Sequence, residues 1–310
     1  MIAAQRRTRV IAAVLVLINL PVLLALRDAV SFYVANRSNG AFVSSGRKRE
    51  YLLHVPHSYD PTRPTPLVIS LHGAALWGAA QKETSRWNEV AEHGGFIVVY
   101  PSAAGGSGPP IWHADRGAGL MQDVAFISAL IDTVRAAYTI DSTRIYANGL
   151  SNGGGMAFVL SCTLSERIAA VGMVAAAQTL EWSWCTDHRP VPMIAFHGTA
   201  DRMVPYDGGP SPVPNTEVFP SIPTWTANWA RRNRCGTTPV DSVIAPDVTR
   251  RAYPDCADGA AVVLYTIRGG GHSWPGGKPL PEWFVGPTSD GIDATSVMWD
   301  FFREHPLARR

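Results

Sequence analysis

The sequence is poor in charge, and it lacks the basic clusters that mark a nucleic-acid-binding protein. Charged residues make up 17% of the 310 residues, and the formal net charge is +2. Nothing in this balance provides a large positive surface for DNA or RNA, so we expect no nucleic-acid partner. The hydrophobic fraction of 46% predicts a well-filled core. The chain contains no internal repeat.

Long hydrophobic runs are also scarce. The apolar stretch near the amino terminus covers residues 10–26 and is interrupted by an asparagine and a proline. It is short for a transmembrane helix, which needs about 20 apolar residues. Because three arginines precede it, we predict that residues 1–31 form an export signal or, alternatively, an uncleaved membrane anchor. A polar lead-in over residues 32–46 and a single domain over residues 47–310 follow, outside the cell or in the periplasm.

Cysteine is rare, and its spacing excludes two kinds of site. The four cysteines are Cys162, Cys185, Cys235 and Cys256, and none of them forms the C-x-x-C pattern of zinc and redox sites. In an oxidising compartment, pairing in sequence order is the simplest of the three possible connectivities. Four buried free thiols are the alternative.

Strand and helix patterns alternate along the chain. Short apolar runs predict strands at residues 51–55, 66–71, 96–100, 145–150, 169–175, 193–196 and 262–267, with a turn at residues 141–144. Helical spacing predicts helices at residues 122–138, 153–164, 224–233 and 293–304. This alternation predicts an α/β fold with a mostly parallel sheet covered by helices on both faces. In such sheets, ligands bind beyond the carboxyl ends of the strands.

One glycine-flanked serine lies between a predicted strand and a predicted helix. The segment Gly149-Leu-Ser-Asn-Gly153 matches G-x-S-x-G in the context of a nucleophile elbow. The sharp turn exposes the serine hydroxyl, and the two glycines leave room where the backbone is crowded. We therefore predict that Ser151 is a nucleophile. The alternative is a glycine-rich turn in which the serine only caps the helix.

A second strand ends in a loop suited to binding an oxyanion. His72-Gly-Ala-Ala75 follows the strand at residues 66–71. We expect the backbone N–H groups of Ala74 and Asn152 to stabilise developing negative charge, with Ala75 as the alternative to Ala74. We expect His72 itself to be structural. An ordinary loop at the end of a strand is the alternative.

A carboxylate and a histidine complete the pattern. Asp201 follows the strand at residues 193–196, and His272 lies in a glycine-rich loop after the last predicted strand. Their order after Ser151 is the order of nucleophile, acid and base in α/β-hydrolases. We predict that Asp201 orients His272, which acts as general base. Asp207 is the rival acid, and we expect His197 to be buried and hydrogen-bonded.

These motifs recur together, in order, in a known family. The shared segments are Tyr51–Pro56, Leu71–Gly73, residues 87–101, Asp123–Ile127, Arg144–Tyr146, Gly149–Gly154, His197–Asp201 and Gly271–Gly276. Over roughly residues 45–305, the chain resembles the poly(3-hydroxybutyrate) depolymerase and feruloyl esterase family of secreted esterases. The resemblance implies the α/β-hydrolase fold, the triad Ser151, Asp201 and His272, and a disulfide between Cys235 and Cys256.

The expected activity is hydrolysis of carboxylic esters through an acyl-enzyme, without metal or organic cofactor. The esters could be small or polymeric: hydroxyalkanoate oligomers or polymer, or feruloyl and acetyl esters. A peptidase of the same fold is one alternative, because a triad does not distinguish amides from esters. A hydrolase fold used only for binding, with a silent site, is the other.

Tryptophan is abundant, with ten residues. Aromatic surfaces suit substrates that carry rings or sugars. Trp274, two residues after His272, is the best candidate for a substrate contact, and Trp112 is the second. The alternative is that both are packing residues of the core.

Overall fold

A computed structural model describes residues 38–105, 109–115, 117–178, 180–185, 189–211 and 218–308. The predicted signal or anchor segment lies outside these residues. Within the described part of the chain, no helix is both long and apolar enough to span a membrane.

Ten strands form one sheet with a parallel centre. They are β1 (Gly40–Ser44), β2 (Arg47–His54), β3 (Thr65–Leu71), β4 (Ile97–Pro101), β5 (Ile140–Leu150), β6 (Val171–Val174), β7 (Met193–Gly198), β8 (Val240–Ala245), β9 (Val248–Tyr253) and β10 (Val262–Ile267). Their order is β1-β2-β4-β3-β5-β6-β7-β10-β9-β8. The six central strands pair in parallel, and antiparallel pairs form both edges.

Helices cover both faces of this sheet. They are α1 (Gly78–Ser85), α2 (Trp87–Gly94), α3 (Leu120–Ala137), α4 (Asn152–Thr163), α5 (Ile222–Arg232), α6 (Glu282–Val285) and α7 (Ala294–Glu304). In β3, Leu67 and Ile69 pack with residues of α3, α4 and α5, whereas Val68 packs with residues of α2 and α7. This alternation is the period of two expected of a strand buried on both faces. The predicted α/β-hydrolase architecture is confirmed.

The structure also corrects several boundaries. β1 lies inside the segment predicted to be a lead-in, and it pairs with β2. The turn predicted at residues 141–144 is wrong, because β5 already begins at Ile140 and the register shifts between its first and later pairs with β3. The hairpin β8–β9 and the helices α1 and α2 were not predicted. β8 is largely exposed along its length, so it carries little of the apolar signal that marks a strand.

Both disulfides follow the sequential pairing. Cys162, at the end of α4, is bonded to Cys185, and Cys235, after α5, is bonded to Cys256. The first bond closes a separation of 23 residues and the second one of 21. Each fixes the carboxyl-terminal side of a helix that covers the sheet. The predicted sequential pairing is confirmed, and the alternative of four free thiols is wrong.

A buried ion pair joins the first part of the sheet to α3. Arg49 of β2 donates to Oδ1 of Asp123 at 2.7 Å, and the two side chains are 2% and 1% exposed. The guanidinium also lies 3.9 Å from the centre of the Phe126 ring. The other carboxylate oxygen, Oδ2, accepts from the backbone N–H of His113 at 3.0 Å and faces its ring at 2.9 Å. Asp123 therefore holds three separate segments together.

We predict that Asp123→Ala lowers the free energy of unfolding by about 3–5 kcal/mol, because it leaves the Arg49 guanidinium buried without its counter-charge. Urea unfolding followed by tryptophan fluorescence measures this loss. Asp132→Ala is the matched control: this carboxylate pairs with Arg167 but is 62% exposed. Its removal should cost less than about 1 kcal/mol. Equal losses for the two variants would contradict the structural role of Asp123.

Candidate active site

Ser151 occupies a strained turn between β5 and α4. Its φ of 54° and ψ of −120° lie in a region that residues with a side chain rarely adopt. Two hydrogen bonds hold the turn: Ser151 N–H donates to the Val174 carbonyl at 2.9 Å, and Gly155 N–H donates to the Ser151 carbonyl at 3.0 Å. This is the geometry of a nucleophile elbow, with the serine at the carboxyl end of a central strand.

The flanking glycines are required by close backbone contacts. A Cβ atom at Gly149 would lie 2.3 Å from the carbonyl carbon of Gly153. A Cβ atom at Gly153 would lie 2.3 Å from the carbonyl oxygen of Leu71. Both distances are too short for real side chains, and both involve backbone that cannot move aside cheaply. The sequence expectation that the two glycines relieve crowding at the turn agrees with these contacts.

The loop after β3 lies beside Ser151. A Cβ atom built at Gly73 would be 3.7 Å from Cβ of Ser151. Leu76 N–H closes a turn onto the Gly73 carbonyl at 3.2 Å, with Ala75 at a φ of 60°. Ala75 N–H donates to the Pro110 carbonyl at 2.8 Å and is therefore occupied.

Ala74 is thus the better candidate for an oxyanion donor in this loop. Among the described residues, nothing accepts a hydrogen bond from the N–H of Ala74 or of Asn152. The second of these groups also belongs to the first turn of α4, where N–H groups are unpaired and the positive end of the helix dipole lies. Two donors next to one nucleophile are the arrangement that an oxyanion hole needs.

The side chain of Asn152 has a role that the sequence did not reveal. Its Oδ1 accepts from Trp112 N–H at 2.7 Å, and its Nδ2 donates to the Trp112 carbonyl at 3.0 Å. The next residue along, His113, is bonded to Asp123. The start of α4 is therefore connected, through the single segment of Trp112 and His113, to the buried ion pair of Arg49 and Asp123. No short motif signals this clamp, because its partners are 40 residues apart.

His72 is structural, as expected. Its Nδ1 donates to the Gly73 carbonyl at 2.7 Å, and its Nε2 accepts from Ala103 N–H at 2.9 Å. Burial lowers the pKa of this imidazole to about 4, against a smaller opposing effect of the Gly73 hydrogen bond. The neutral ring, with one donor and one acceptor, fastens the loop that carries Ala74.

Asp201 and His272 are in direct contact. Nδ1 of His272 donates to Oδ2 of Asp201 at 2.8 Å, and both residues are 5% exposed. The other oxygen, Oδ1, accepts from the N–H groups of Met203 at 2.8 Å and Val204 at 2.9 Å. The carboxylate is thereby fixed in orientation. Since Nδ1 carries the proton, Nε2 of the neutral ring is left as a hydrogen-bond acceptor.

A second histidine also faces this carboxylate. Nε2 of His197 lies 2.9 Å from the Val204 carbonyl and 3.3 Å from Oδ2 of Asp201. A carbonyl only accepts, so Nε2 must carry the proton. Burial alone would raise the pKa of the Asp201 carboxyl, but the hydrogen bonds from His197 and His272 hold it well below its usual range. The rival Asp207 is exposed.

Close backbone packing positions the loop of His272. A Cβ atom at Gly198, the last residue of β7, would lie 2.1 Å from the Gly270 carbonyl oxygen. Ala200 N–H donates to this same carbonyl at 2.9 Å, and His272 N–H donates to the Val285 carbonyl at 2.5 Å. The loops that follow β7 and β10 are therefore locked together, with α6 behind the histidine.

The sheet order brings these loops to one edge. Ser151 follows β5, Asp201 follows β7, and only β6 separates the two strands. The spacing of two strands is about 10 Å, a gap that a histidine side chain can bridge. The Ser151 hydroxyl makes no hydrogen bond to any described residue, His272 included. Such catalytic contacts are often long without substrate.

Comparisons with known proteins relate the chain to esterases. Residues 50–181 match the family described as Esterase PHB depolymerase. Feruloyl esterase B of Piromyces equi is 31% identical over 74% of this chain and 44% of its own length. Feruloyl esterase C of Emericella nidulans is 28% identical over 86% of this chain and 87% of its own. By these matches, the chain is similar to esterases of the poly(3-hydroxybutyrate) depolymerase and feruloyl esterase group.

Further relatives of this esterase family differ in length. The putative esterase NocK of Nocardia uniformis subsp. tsuyamanensis is 29% identical over 84% of this chain and 80% of its own. The chain spans less than half of feruloyl esterase B, the relative from Piromyces equi. The solved acetyl xylan esterase from Aspergillus awamori matches with a TM-score of 0.56 and 18% identity, over 73% of this chain and 89% of that one. This likeness supports the α/β-hydrolase fold.

The structure contradicts the two substrate contacts that the sequence suggested, Trp274 and Trp112. Trp274 and Trp112 are each 1% exposed. The indole N–H of Trp274 donates to Oγ1 of Thr295 at 2.8 Å, and that of Trp112 donates to the His72 carbonyl at 3.1 Å. Both side chains support the loops from within the core. Among the described residues, no group of His, Cys, Asp and Glu is arranged to hold a metal ion.

A buried polar network supports the strand that ends in Ser151. Ser70 of β3 donates to Oδ1 of Asn148 in β5 at 2.8 Å, and Trp87 Nε1 donates to the same oxygen at 3.1 Å. Gln81 of α1 donates to the Ser70 hydroxyl at 3.0 Å. All four side chains are fully buried. The network ties together β3 and β5, the two strands that end in the loop of Ala74 and in Ser151.

We predict that Asp201→Asn reduces the pH dependence of stability in acid. The pKa of Asp201 is lower in the folded protein than in the unfolded chain, where it is about 3.9. The ionised carboxylate therefore contributes fully to the free energy of unfolding above this pH, and the contribution is lost as the pH falls toward the pKa in the folded protein. The stability gap between wild type and variant should therefore narrow as pH falls below about 4. Urea unfolding at pH 7, 5, 4 and 3 measures it.

Asp207→Asn is the control, because it alters an exposed carboxylate in the same loop. A gap between wild type and Asp201→Asn that stays constant down to pH 3 would contradict the hydrogen-bonded carboxylate described here.

Proposed function

We propose that the chain hydrolyses carboxylic esters through a serine acyl-enzyme, with Ser151 as nucleophile, His272 as base and Asp201 as orienting acid. The observation that carries the proposal is the hydrogen bond of 2.8 Å from Nδ1 of His272 to the buried Asp201 carboxylate, at the sheet edge where Ser151 occupies its elbow. This bond fixes the tautomer in which Nε2 can take a proton.

The chemistry follows from these positions. Nε2 of His272 takes the proton of Ser151 as the hydroxyl oxygen attacks the ester carbonyl. The N–H groups of Ala74 and Asn152 stabilise the negative charge that develops on the carbonyl oxygen. The imidazolium, stabilised by Asp201, returns the proton to the departing alcohol. Water then attacks the acyl-enzyme by the same route and releases the acid.

The names of the relatives suggest the range of substrates. Feruloyl esterases and an acetyl xylan esterase are among them, and the family description refers to polyhydroxybutyrate. We propose acetyl, feruloyl or hydroxyalkanoate esters, as small molecules or as polymers. Two disulfides favour an oxidising location, in the periplasm or outside the cell, with residues 10–26 as signal or tether.

We predict that Ser151→Ala abolishes hydrolysis of p-nitrophenyl acetate and butyrate, with a loss in kcat of at least about 10³-fold. The same variant should no longer be labelled by a fluorophosphonate, because the nucleophilic oxygen is gone. Ser242→Ala, which alters a serine on the exposed strand β8, is the matched control and should keep full activity.

The variants His272→Ala and Ser151→Ala/His272→Ala extend the test. When two residues act together in one catalytic step, removing the second after the first causes no further loss of activity. The double variant should therefore be no slower than either single variant. A folded wild type that neither hydrolyses esters nor reacts with the phosphonate would overturn the proposal and favour a binding protein. Faster cleavage of peptide p-nitroanilides than of esters would instead favour a peptidase.

A further inference from the structure

One aromatic pair stands outside the core. Trp283 is 87% exposed and Phe284 is 57% exposed, whereas the next residue of α6, Val285, is 5% exposed. The rings lie 5.7 Å apart, tilted by 55°, and neither stacks on another aromatic ring of the described residues. All ten tryptophans belong to the described part of the chain, and the other nine are buried or partly buried. Two adjacent aromatic rings that are mostly exposed form an apolar surface to which a ligand could bind.

The position of this pair connects it to the candidate base. The Val285 carbonyl accepts the backbone N–H of His272 at 2.5 Å, and Gly271 N–H donates to the Pro287 carbonyl at 2.8 Å. A Cβ atom at Gly271 would lie 2.2 Å from the Val285 oxygen, so the two backbones are in direct contact. Successive Cα atoms are about 3.8 Å apart, which places Phe284 and Trp283 within about 8 Å of the residue that holds His272.

In the proposed mechanism, the carbonyl oxygen of the ester and its departing oxygen bind on different sides of the site. The carbonyl oxygen faces the N–H groups of Ala74 and Asn152, whereas the departing oxygen must face Nε2 of His272, which returns the proton to it. The alcohol portion of the ester therefore lies on the side of His272. The helix α6 contacts this histidine through the hydrogen bond from His272 N–H to the Val285 carbonyl.

We propose that Trp283 and Phe284 form a platform that binds a ring in the alcohol portion of the substrate. The proposal rests on the ester hydrolysis proposed above. The flat face of an indole binds flat apolar faces, whether they belong to an aromatic ring or to the C–H face of a sugar ring. Both kinds of alcohol share this chemistry, and the experiment separates them.

The test compares esters that differ on one side only. Ethyl acetate is the reference, benzyl acetate and a monoacetylated methyl xylopyranoside carry a ring in the alcohol, and ethyl phenylacetate carries its ring in the acid. A pH-stat measures the acid released, so every ester is followed by the same signal. The variants are Trp283→Ala, Phe284→Ala and the double variant, with Trp283→Phe as the conservative one.

Trp283→Ala should raise KM for benzyl acetate by about 10-fold with little change in kcat, because the platform binds ground state and transition state alike. Hydrolysis of ethyl acetate and labelling by a fluorophosphonate should be unchanged. Trp283→Phe should recover most of the lost affinity. Val43→Ala is the matched control, since this apolar side chain on β1 is 73% exposed. A matching rise in KM for the xylopyranoside assigns sugar alcohols to the platform, whereas an effect on benzyl acetate alone assigns aromatic ones.

Three results would overturn the platform. They are an unchanged KM for both ring-bearing alcohols, an equal loss on ethyl acetate, and a loss confined to ethyl phenylacetate, which would place the ring on the acyl side. Failure of the proposed function is distinguishable from these, because the wild type would then hydrolyse no ester and take up no phosphonate.

Discussion

The structure of the site depends on one backbone constraint, the left-handed turn at Ser151. A side chain at a φ of 54° is unfavourable by about 1–3 kcal/mol and persists only where the surroundings enforce it. Here two kinds of backbone contact enforce the turn. The Val174 carbonyl holds the serine N–H, and Gly149 and Gly153 allow the chain to pass against itself and against the end of β3. The same contact between Gly153 and Leu71 brings the loop of Ala74, the proposed oxyanion donor, beside Ser151, the proposed nucleophile.

Polar groups in the core secure the two halves of that arrangement. On one half, Arg49, Asp123 and His113 hold the segment that the Asn152 side chain clamps. On the other half, Asp201 is fixed by two backbone N–H groups and two histidines. In each case a buried carboxylate accepts more than one hydrogen bond, which compensates for its loss of water. The two carboxylates therefore fix the positions of the groups that donate hydrogen bonds to them, in addition to supplying negative charge.

Much of this could be predicted from the sequence, for identifiable reasons. The G-x-S-x-G turn, the order of Ser151, Asp201 and His272, and the buried parallel strands all leave local patterns, because each depends on a few neighbouring residues. The clamp of Asn152 on Trp112 joins residues 40 positions apart and leaves no such pattern.

The tryptophans show that a local sequence pattern can also suggest a contact that the fold does not make. Trp274 was favoured as a substrate contact because it follows His272 by two residues, yet its indole points into the core and bonds Thr295. Trp283, eleven positions after the histidine in the sequence, is the exposed one. Proximity along the chain does not decide which way a side chain points when the loop between is held by α6 and by backbone contacts. Burial is a property of the folded surroundings, and a single sequence carries little information about it at isolated loop positions.

The two sides of the site, one at Ala74 and Asn152 and the other at His272, also differ in how many substitutions they can tolerate. The proposed oxyanion donors are backbone N–H groups at a turn that depends on Gly153 and on the Asn152 clamp, so few substitutions at these two positions would leave the turn intact. The side of His272 is different, because α6 contributes a carbonyl to the histidine and directs Trp283 and Phe284 outward. The contact that positions His272, the proposed base, is made by backbone, and the exposed side chains are not needed for it. Residues 282–284 can therefore change without disturbing His272. If α6 carries the platform proposed above, selectivity for the alcohol can diverge there while the chemistry stays constant.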